Sequence, residues 1–188
     1  MPTKKTPHLT SNIKKTTVLF FKKGYHATSM QDIVDATGLN RSSIYNSFGS
    51  KLDLFITCFE KCEFNYRKEV QKIILANQNS IKTIIDIFEL SMKESINGYL
   101  IPNYISELKN EEPTIRKLII NQQDYLTDLF LNVVKRGQNI GKINNSKSEK
   151  QYALYLLNAF QGLRVLSHTK ENKNDLKNII YNTLLLLE

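Results

Sequence analysis

The chain's 188 residues are enough to bury a proper core, and their patterning predicts two helical pieces, a small domain joined to a larger one. No apolar run of about 18 residues is present to span a bilayer, and the first residues, MPTKKTPHLTSN, lack the apolar core of an export signal, which predicts a soluble cytoplasmic protein. The net charge of +8 is unevenly placed: residues 1–52 carry Lys4, Lys5, Lys14, Lys15, Lys22, Lys23, Arg41 and Lys51 against Asp32 and Asp35, which leaves eighteen basic and sixteen acidic residues for the rest. Such a concentration suits a polyanionic partner, although a solvated lysine surface has the same composition.

Periodicity is helical almost throughout. Leu9, Ile13, Thr16 and Phe20 recur at helical spacing and predict a first amphipathic helix over about residues 10–23, ended by Gly24. Thr28 stands three residues before Gln31 in a capping-box arrangement, which opens a short second helix over about 29–36. Gly38 closes that helix and Asn40 caps a third, so two short helices joined by a few residues containing a glycine form a helix-turn-helix. Ser50 and Asp53 repeat the capping pattern and open a long fourth helix reaching about Leu75, with Leu54, Phe55, Cys58, Phe59, Cys62 and Tyr66 on its apolar side.

Beyond it the pattern predicts a helix over about 80–96, a short one opened by Pro102, and a long one opened by Pro113 that stops near Gly137 to Gly141. After the polar loop KINNSKSEK, two markedly apolar helices span about 148–168 and 174–187. No strand pattern and no internal repeat is visible. The fold class is therefore all-α, with about nine helices: an N-terminal three-helix helix-turn-helix domain over 1–52 and a helical-bundle regulatory and dimerisation domain over 53–188.

Chemistry-bearing residues are sparse. His8, His26 and His168 lie beside no Ser, Cys or carboxylate at a motif spacing, and GQNIGK has three residues rather than four between its glycines and Ile143 after its lysine, so it is not a phosphate loop. Glu111 and Glu112 precede Pro113, where negative charge suits a helix start. Cys58 and Cys62 are too few for a disulfide framework or a structural zinc site, and one turn apart on an apolar face they read as small apolar side chains. No enzyme, metal or cofactor is called for.

The stretch LFFKKGYHATSMQDIVDATGLNRSSIYNSFGSKLDLF resembles the DNA-binding signature of the TetR/AcrR family: a first helix ending in Gly-Tyr, then Thr-Ser, and then Ile, Gly, Tyr, Phe, Ser-Lys and Leu at fixed spacing. GYLIPNYISELKNEEPTIRK, VKRGQNIGKI and FQGLRVLSHT resemble the regulatory domain of one branch of that family. Val34 and Thr37 stand where small alanines are common, and Tyr99 where that branch often carries a cysteine, which argues against a thiol sensor at that place.

A helix-turn-helix sets the N-terminal part of its second helix against base edges. Asn40, Arg41, Ser42, Ser43 and Asn46 are its polar members, and Arg41 is the one long cation suited to guanine. Ile44 and Phe48, one turn apart, are expected to face the core. The resemblance implies phosphate contacts from Tyr45 and Lys51, and backbone N–H groups offered to a further phosphate where the second helix starts at Thr28.

It also implies a homodimer joined through the last two helices, where Gly162 permits close approach. The candidate interface is Tyr152, Leu156, Leu163, Leu166, Leu176, Ile180 and Leu184, whose alternative place is the chain's own core. A small, largely apolar effector is expected between the regulatory helices, among Tyr66, Phe88, Met92, Tyr99, Tyr104 and Phe160. The reading is a ligand-responsive regulator, a repressor by preference, on a palindromic double-stranded DNA operator and with no membrane role. The alternatives are an effector-independent architectural DNA-binding protein and a basic helical carrier or enzyme.

Overall fold

The computed structural model describes residues 7–94, 112–169 and 172–188. Among them are eight helices and no strand: α1 (Pro7–Lys23), α2 (Met30–Thr37), α3 (Arg41–Phe48), α4 (Lys51–Ala76), α5 (Ser80–Glu94), α6 (Pro113–Asn139), α7 (Glu149–Thr169) and α8 (Lys173–Leu184). The all-helical class holds, and the helix expected after Pro102 lies outside the described residues.

The chain forms two compact units. One holds α1 to α3, α4 through Asn65 and the start of α6 through Arg116; the other begins at Tyr66 and resumes at Lys117. The division thus falls inside α4, whereas residue 52, the boundary read from the sequence, lies at that helix's start.

In the first unit, α1 buries Phe20, Thr16 and Thr17 and leaves Lys14, Lys15, Lys22 and Lys23 exposed. Gly24, at φ 88°, ends it with its N–H on the Phe20 carbonyl at 2.9 Å. The cap of α2 differs from the expected one. Ser29 is the N-cap: its hydroxyl accepts from the Asp32 N–H at 3.0 Å, and its own N–H donates to the Asp32 carboxylate at 2.8 Å. Thr28, expected in that role, is fully buried and donates its hydroxyl to the Gly24 carbonyl at 2.5 Å. Its proposed partner Gln31 donates instead to Asp35. A carboxylate at the third helical position suits the positive end of the helix better than an amide does, and that decides between the two frames.

Ile33 and Thr37 face inward from α2, and the Thr37 hydroxyl is absorbed by the Ile33 carbonyl at 2.6 Å, so this threonine fits where alanine is common. Gly38, at φ 75°, turns the chain, and two residues later Asn40 caps α3 by accepting the Ser43 N–H at 2.8 Å. The Ser50–Asp53 capping box then opens α4.

In the second unit, α5, α6 and α7 meet at three fully buried rings. Phe88, Phe130 and Phe160 stand edge to face, with centroids 5.9, 5.4 and 5.6 Å apart. At the chain's end the Asn144 N–H donates to the Leu187 carbonyl at 2.9 Å, and the Tyr152 hydroxyl donates to Asn144 Oδ1 at 2.5 Å and to the Leu186 carbonyl at 3.2 Å, which fastens the segment after α8 to α7.

The helices of the expected dimer interface are present, but most of the residues nominated for it belong to this core. Tyr152 and Leu156 have no exposure, Leu163 has 1%, and Leu176, Ile180 and Leu184 are buried as well; Leu166 is half-buried. The apolar stripe of α7 is consumed inside its own chain. The outward stripe is different: Leu154, Asn158, Gly162 and Val165 on α7, with Tyr181 and Leu185 at α8. Emptying the aromatic cluster by Phe160→Ala is expected to cost about 3–5 kcal/mol in urea unfolding, whereas Leu75→Ala, at a side chain 76% exposed, is expected to stay within about 0.5 kcal/mol.

Candidate nucleic-acid interface

Helix α3 sorts its side chains by face. Ile44 is buried and Phe48 half-buried, as their spacing predicts, while Arg41, Ser42, Tyr45 and Asn46 are exposed. Ser43 is half-buried. Asn40 is exposed, but its side-chain oxygen already accepts the Ser43 N–H and the Ser42 hydroxyl at 2.9 Å. Arg41 and Asn46 therefore present the least committed polar groups to a base edge, and Tyr45, 48% exposed, presents a hydroxyl.

Thr28 is not part of this surface. Its hydroxyl is spent on Gly24 and its N–H on the Tyr25 carbonyl at 3.2 Å, so neither is offered to a phosphate. The start of α2 lies at Ser29 and Met30. There the Lys23 ammonium meets Asp32 at 2.5 Å, and the hydrogen bond from Lys23, joined by those from the Ser29 N–H and hydroxyl, holds the Asp32 carboxyl well below its ordinary range. Lys23 is one of the eight cations counted in this segment, yet its charge is locally cancelled.

Lys51, at the start of α4, is half-buried, with its ammonium 4.4 Å from the centroid of the Tyr25 ring. Burial pulls that ammonium below the ordinary lysine range, opposed by the nearby Asp32 charge. Tyr25 packs against Phe20 at 6.0 Å and Phe55 at 5.3 Å, and burial, followed by the charges of Glu112 and Asp53, raises its phenol. Neither the Lys23–Asp32 pair nor the Tyr25–Lys51 contact follows from helical periodicity, because each joins residues of different helices and turns. The Gly-Tyr pair was the only signal in the sequence that pointed at Tyr25.

Elsewhere, Cys58 is buried, donates its thiol weakly to the Ile13 carbonyl at 3.7 Å, and is pushed up to about 12 by burial. At neutral pH it is a thiol, not a reactive thiolate. Of the effector candidates, Tyr66, Phe88 and Phe160 are fully buried and Met92 is half-buried, while Tyr99 and Tyr104 lie outside the described residues. A cavity of about 230 Å³ opens between α4 and α5 beside Glu69, Asp86 and Lys93, and one of about 180 Å³ lies between α5 and α8 beside Ile85, Lys177 and Tyr181. Neither is lined by Tyr66, Phe88, Met92 or Phe160. Among the described residues no helix is long and apolar enough to cross a membrane.

Residues 13–58, which run from α1 into α4 and include every exposed candidate on α3, match the family described as bacterial regulatory proteins, tetR family. The N-terminal segment is thus a helix-turn-helix of the TetR type. Members are DNA-binding transcriptional regulators rather than enzymes. The HTH-type transcriptional regulator YezE of Bacillus subtilis (strain 168) is 25% identical over 141 residues, 70% of either chain. IcaR of Staphylococcus aureus (strain Newman), the negative transcriptional regulator of the biofilm operon icaADBC, is 26% identical over 174 residues, 88% of this chain and 91% of that one. Among solved structures, a cysteine mutant of the TetR family regulator CifR, complexed with 26-base-pair operator DNA, superposes with a TM-score of 0.80 over 95% of this chain and 96% of that one at 16% identity, a likeness of fold.

Proposed function

We propose that this TetR-family chain is a repressor that grips a palindromic double-stranded operator as a homodimer and is released by a small apolar or amphipathic effector. The observation that carries the reading is the outward face of α3, where Arg41, Ser42, Tyr45 and Asn46 stand together while Ile44 anchors the helix from behind. Arg41 is placed to pair with a guanine edge, and Asn46 and Ser42 to donate to or accept from a neighbouring base. Tyr45 and Lys51 are assigned to phosphates. Ser43 and Asn40 shape the helix start. Repression is supported by the name of IcaR.

Residues 1–52 form the reading part and 53–188 the regulatory part, with α4 running unbroken from Lys51 to Ala76 as the element common to both. The dimer contact is assigned to the outward stripe. Leu154, Val165, Tyr181 and Leu185 are 47–63% exposed, a costly display for a monomer, and a Cβ added at Gly162 between them meets nothing in its own chain, so a partner helix has room to approach there. The two readers of such a dimer reach successive major grooves when they lie about 34–36 Å apart. An effector that repacks the regulatory helices, among them Met92, alters that spacing through α4.

Three outcomes are expected. Arg41→Ala costs about 1–3 kcal/mol on an operator and relaxes one position per half-site, while Lys51→Ala weakens every sequence and lowers the salt slope by about one per subunit; fluorescence anisotropy across a salt series separates them, and two unchanged variants overturn the assignment. Leu154→Glu and Gly162→Leu are expected to sediment as folded monomers at micromolar concentration, and a dimer in both moves the interface elsewhere. Among phenols, fatty acids, acyl derivatives and hydrophobic cations, compounds that raise the melting temperature should also dissociate the protein–DNA complex; inverting its occupancy from about 99:1 takes about 5.5 kcal/mol of preference for the other state, and stabilisers without that effect exclude the effector mechanism.

A further inference from the structure

Lys51 occupies a position that helix stability alone disfavours. It is the first residue of α4, where the exposed N–H groups form the positive end of the helix dipole and an acidic residue is the stabilising choice. Nor does an ion pair account for it. Lys23 takes Asp32 at 2.5 Å, whereas among the described residues no carboxylate lies within ion-pair distance of Lys51. Its contact is the Tyr25 ring face, 4.4 Å from ammonium to centroid.

That difference has a consequence for anion binding. A carboxylate that fixes a lysine also cancels its charge, and a phosphate must then compete with the carboxylate. An aromatic face attracts the ammonium through the ring quadrupole and leaves the whole formal charge for a third party. The ring itself is held from behind: it stacks on Phe20 at 6.0 Å with an interplanar angle of 25° and meets Phe55 edge-on at 5.3 Å, and both phenylalanines are fully buried. A flexible lysine is thereby tethered to a buried aromatic cluster before DNA arrives, which lowers the conformational entropy lost on binding. Burial together with Glu112 and Asp53 keeps the phenol neutral, so the ring takes part as a π-face and not as an anion.

We propose that Tyr25 is a positioning residue for DNA binding: its ring, fixed by Phe20 and Phe55, holds the Lys51 ammonium ready for a backbone phosphate with its charge intact. The proposal rests on the assignment of Lys51 to a phosphate, and the test keeps the two apart. Since phosphate contacts carry no sequence information, the probe is a fluorescein-labelled mixed-sequence duplex titrated with the full chain across a salt series. Tyr25→Phe should bind as the parent does. Tyr25→Leu should bind about two- to five-fold more weakly, the range of an exposed cation–π contact, and in the Lys51→Ala background it should cause no further loss.

Melting curves establish that each variant is folded. If Tyr25→Leu melts below the assay temperature, pentafluorophenylalanine at position 25 takes its place; it keeps the ring's shape, loses its negative face, and should bind more weakly than Tyr25→Phe. Unchanged binding and salt slope in Lys51→Ala remove the phosphate assignment itself. A loss in Lys51→Ala with none in folded Tyr25→Leu, or with the same loss from Tyr25→Leu in both backgrounds, leaves that assignment standing and overturns the role of Tyr25.

Discussion

An eight-residue helix does not persist in water by itself, because the cost of its first turn is barely recovered before it ends. Helix α3 is such a helix, and the first unit is largely an arrangement for holding it. Asn40 closes its N-terminus, the Gly49 N–H at 2.9 Å from the Tyr45 carbonyl closes its C-terminus, and Ile44 pins its middle to the core. Helix α2 is equally short and relies on the same devices: the Ser29–Asp32 box, Gly38 in the left-handed conformation, and Ile33 as its fully buried anchor. With the turn fixed from behind, the outer face of α3 is left to polar groups such as Arg41, Ser42 and Asn46.

The features legible in the sequence were those decided over three or four residues. Gly38, Asn40 and the Ser50–Asp53 box are where the caps fall, because a cap needs only its own turn of helix to form. The Thr28–Gln31 frame failed because the Ser29–Asp32 pair one residue on offers a carboxylate in place of an amide, while Thr28 is buried with its hydroxyl on the Gly24 carbonyl. The last two helices pose a different problem. Tyr152, Leu156 and Leu163 stand on a stripe that periodicity finds correctly, but periodicity reports that a stripe is buried and not which chain buries it. Within the single chain that stripe is buried, while Leu154 and Val165 are exposed.

The positive charge of the first quarter of the chain is likewise a poorer guide than its distribution. Lys23 is neutralised by Asp32, and that same carboxylate caps α2, so one acidic group takes a helix start and a cation out of reach of DNA. Lys14, Lys15 and Lys22 remain exposed on α1, and Arg41 on α3. Exposed charges of this kind draw DNA from a distance, and salt screens them within about 8–10 Å under ordinary conditions. They set how fast a duplex is met. Position is a separate matter, and among the described cations of this segment Lys51 alone lies over an aromatic ring.

The interior of the second unit constrains how an effector can act. Phe88, Phe130 and Phe160 have no exposure at the junction of α5, α6 and α7, so a ligand entering among these rings displaces side chains instead of filling a space kept for it. Such displacement costs binding energy, because close-packed edge-to-face rings lose their contacts before the ligand supplies new ones. The same cost is what makes a ligand able to switch a protein: a molecule that fits a preformed hole equally well in both states shifts nothing, whereas one that binds only after the helices have moved favours the moved state by the whole of its contact energy. Tight packing around Phe160 is therefore compatible with regulation, on the condition that the moved helices include α4. Tyr66 and Val70, both without exposure, are the side chains through which α4 is anchored in this unit, and any repacking that reaches them acts on the helix that begins at Lys51.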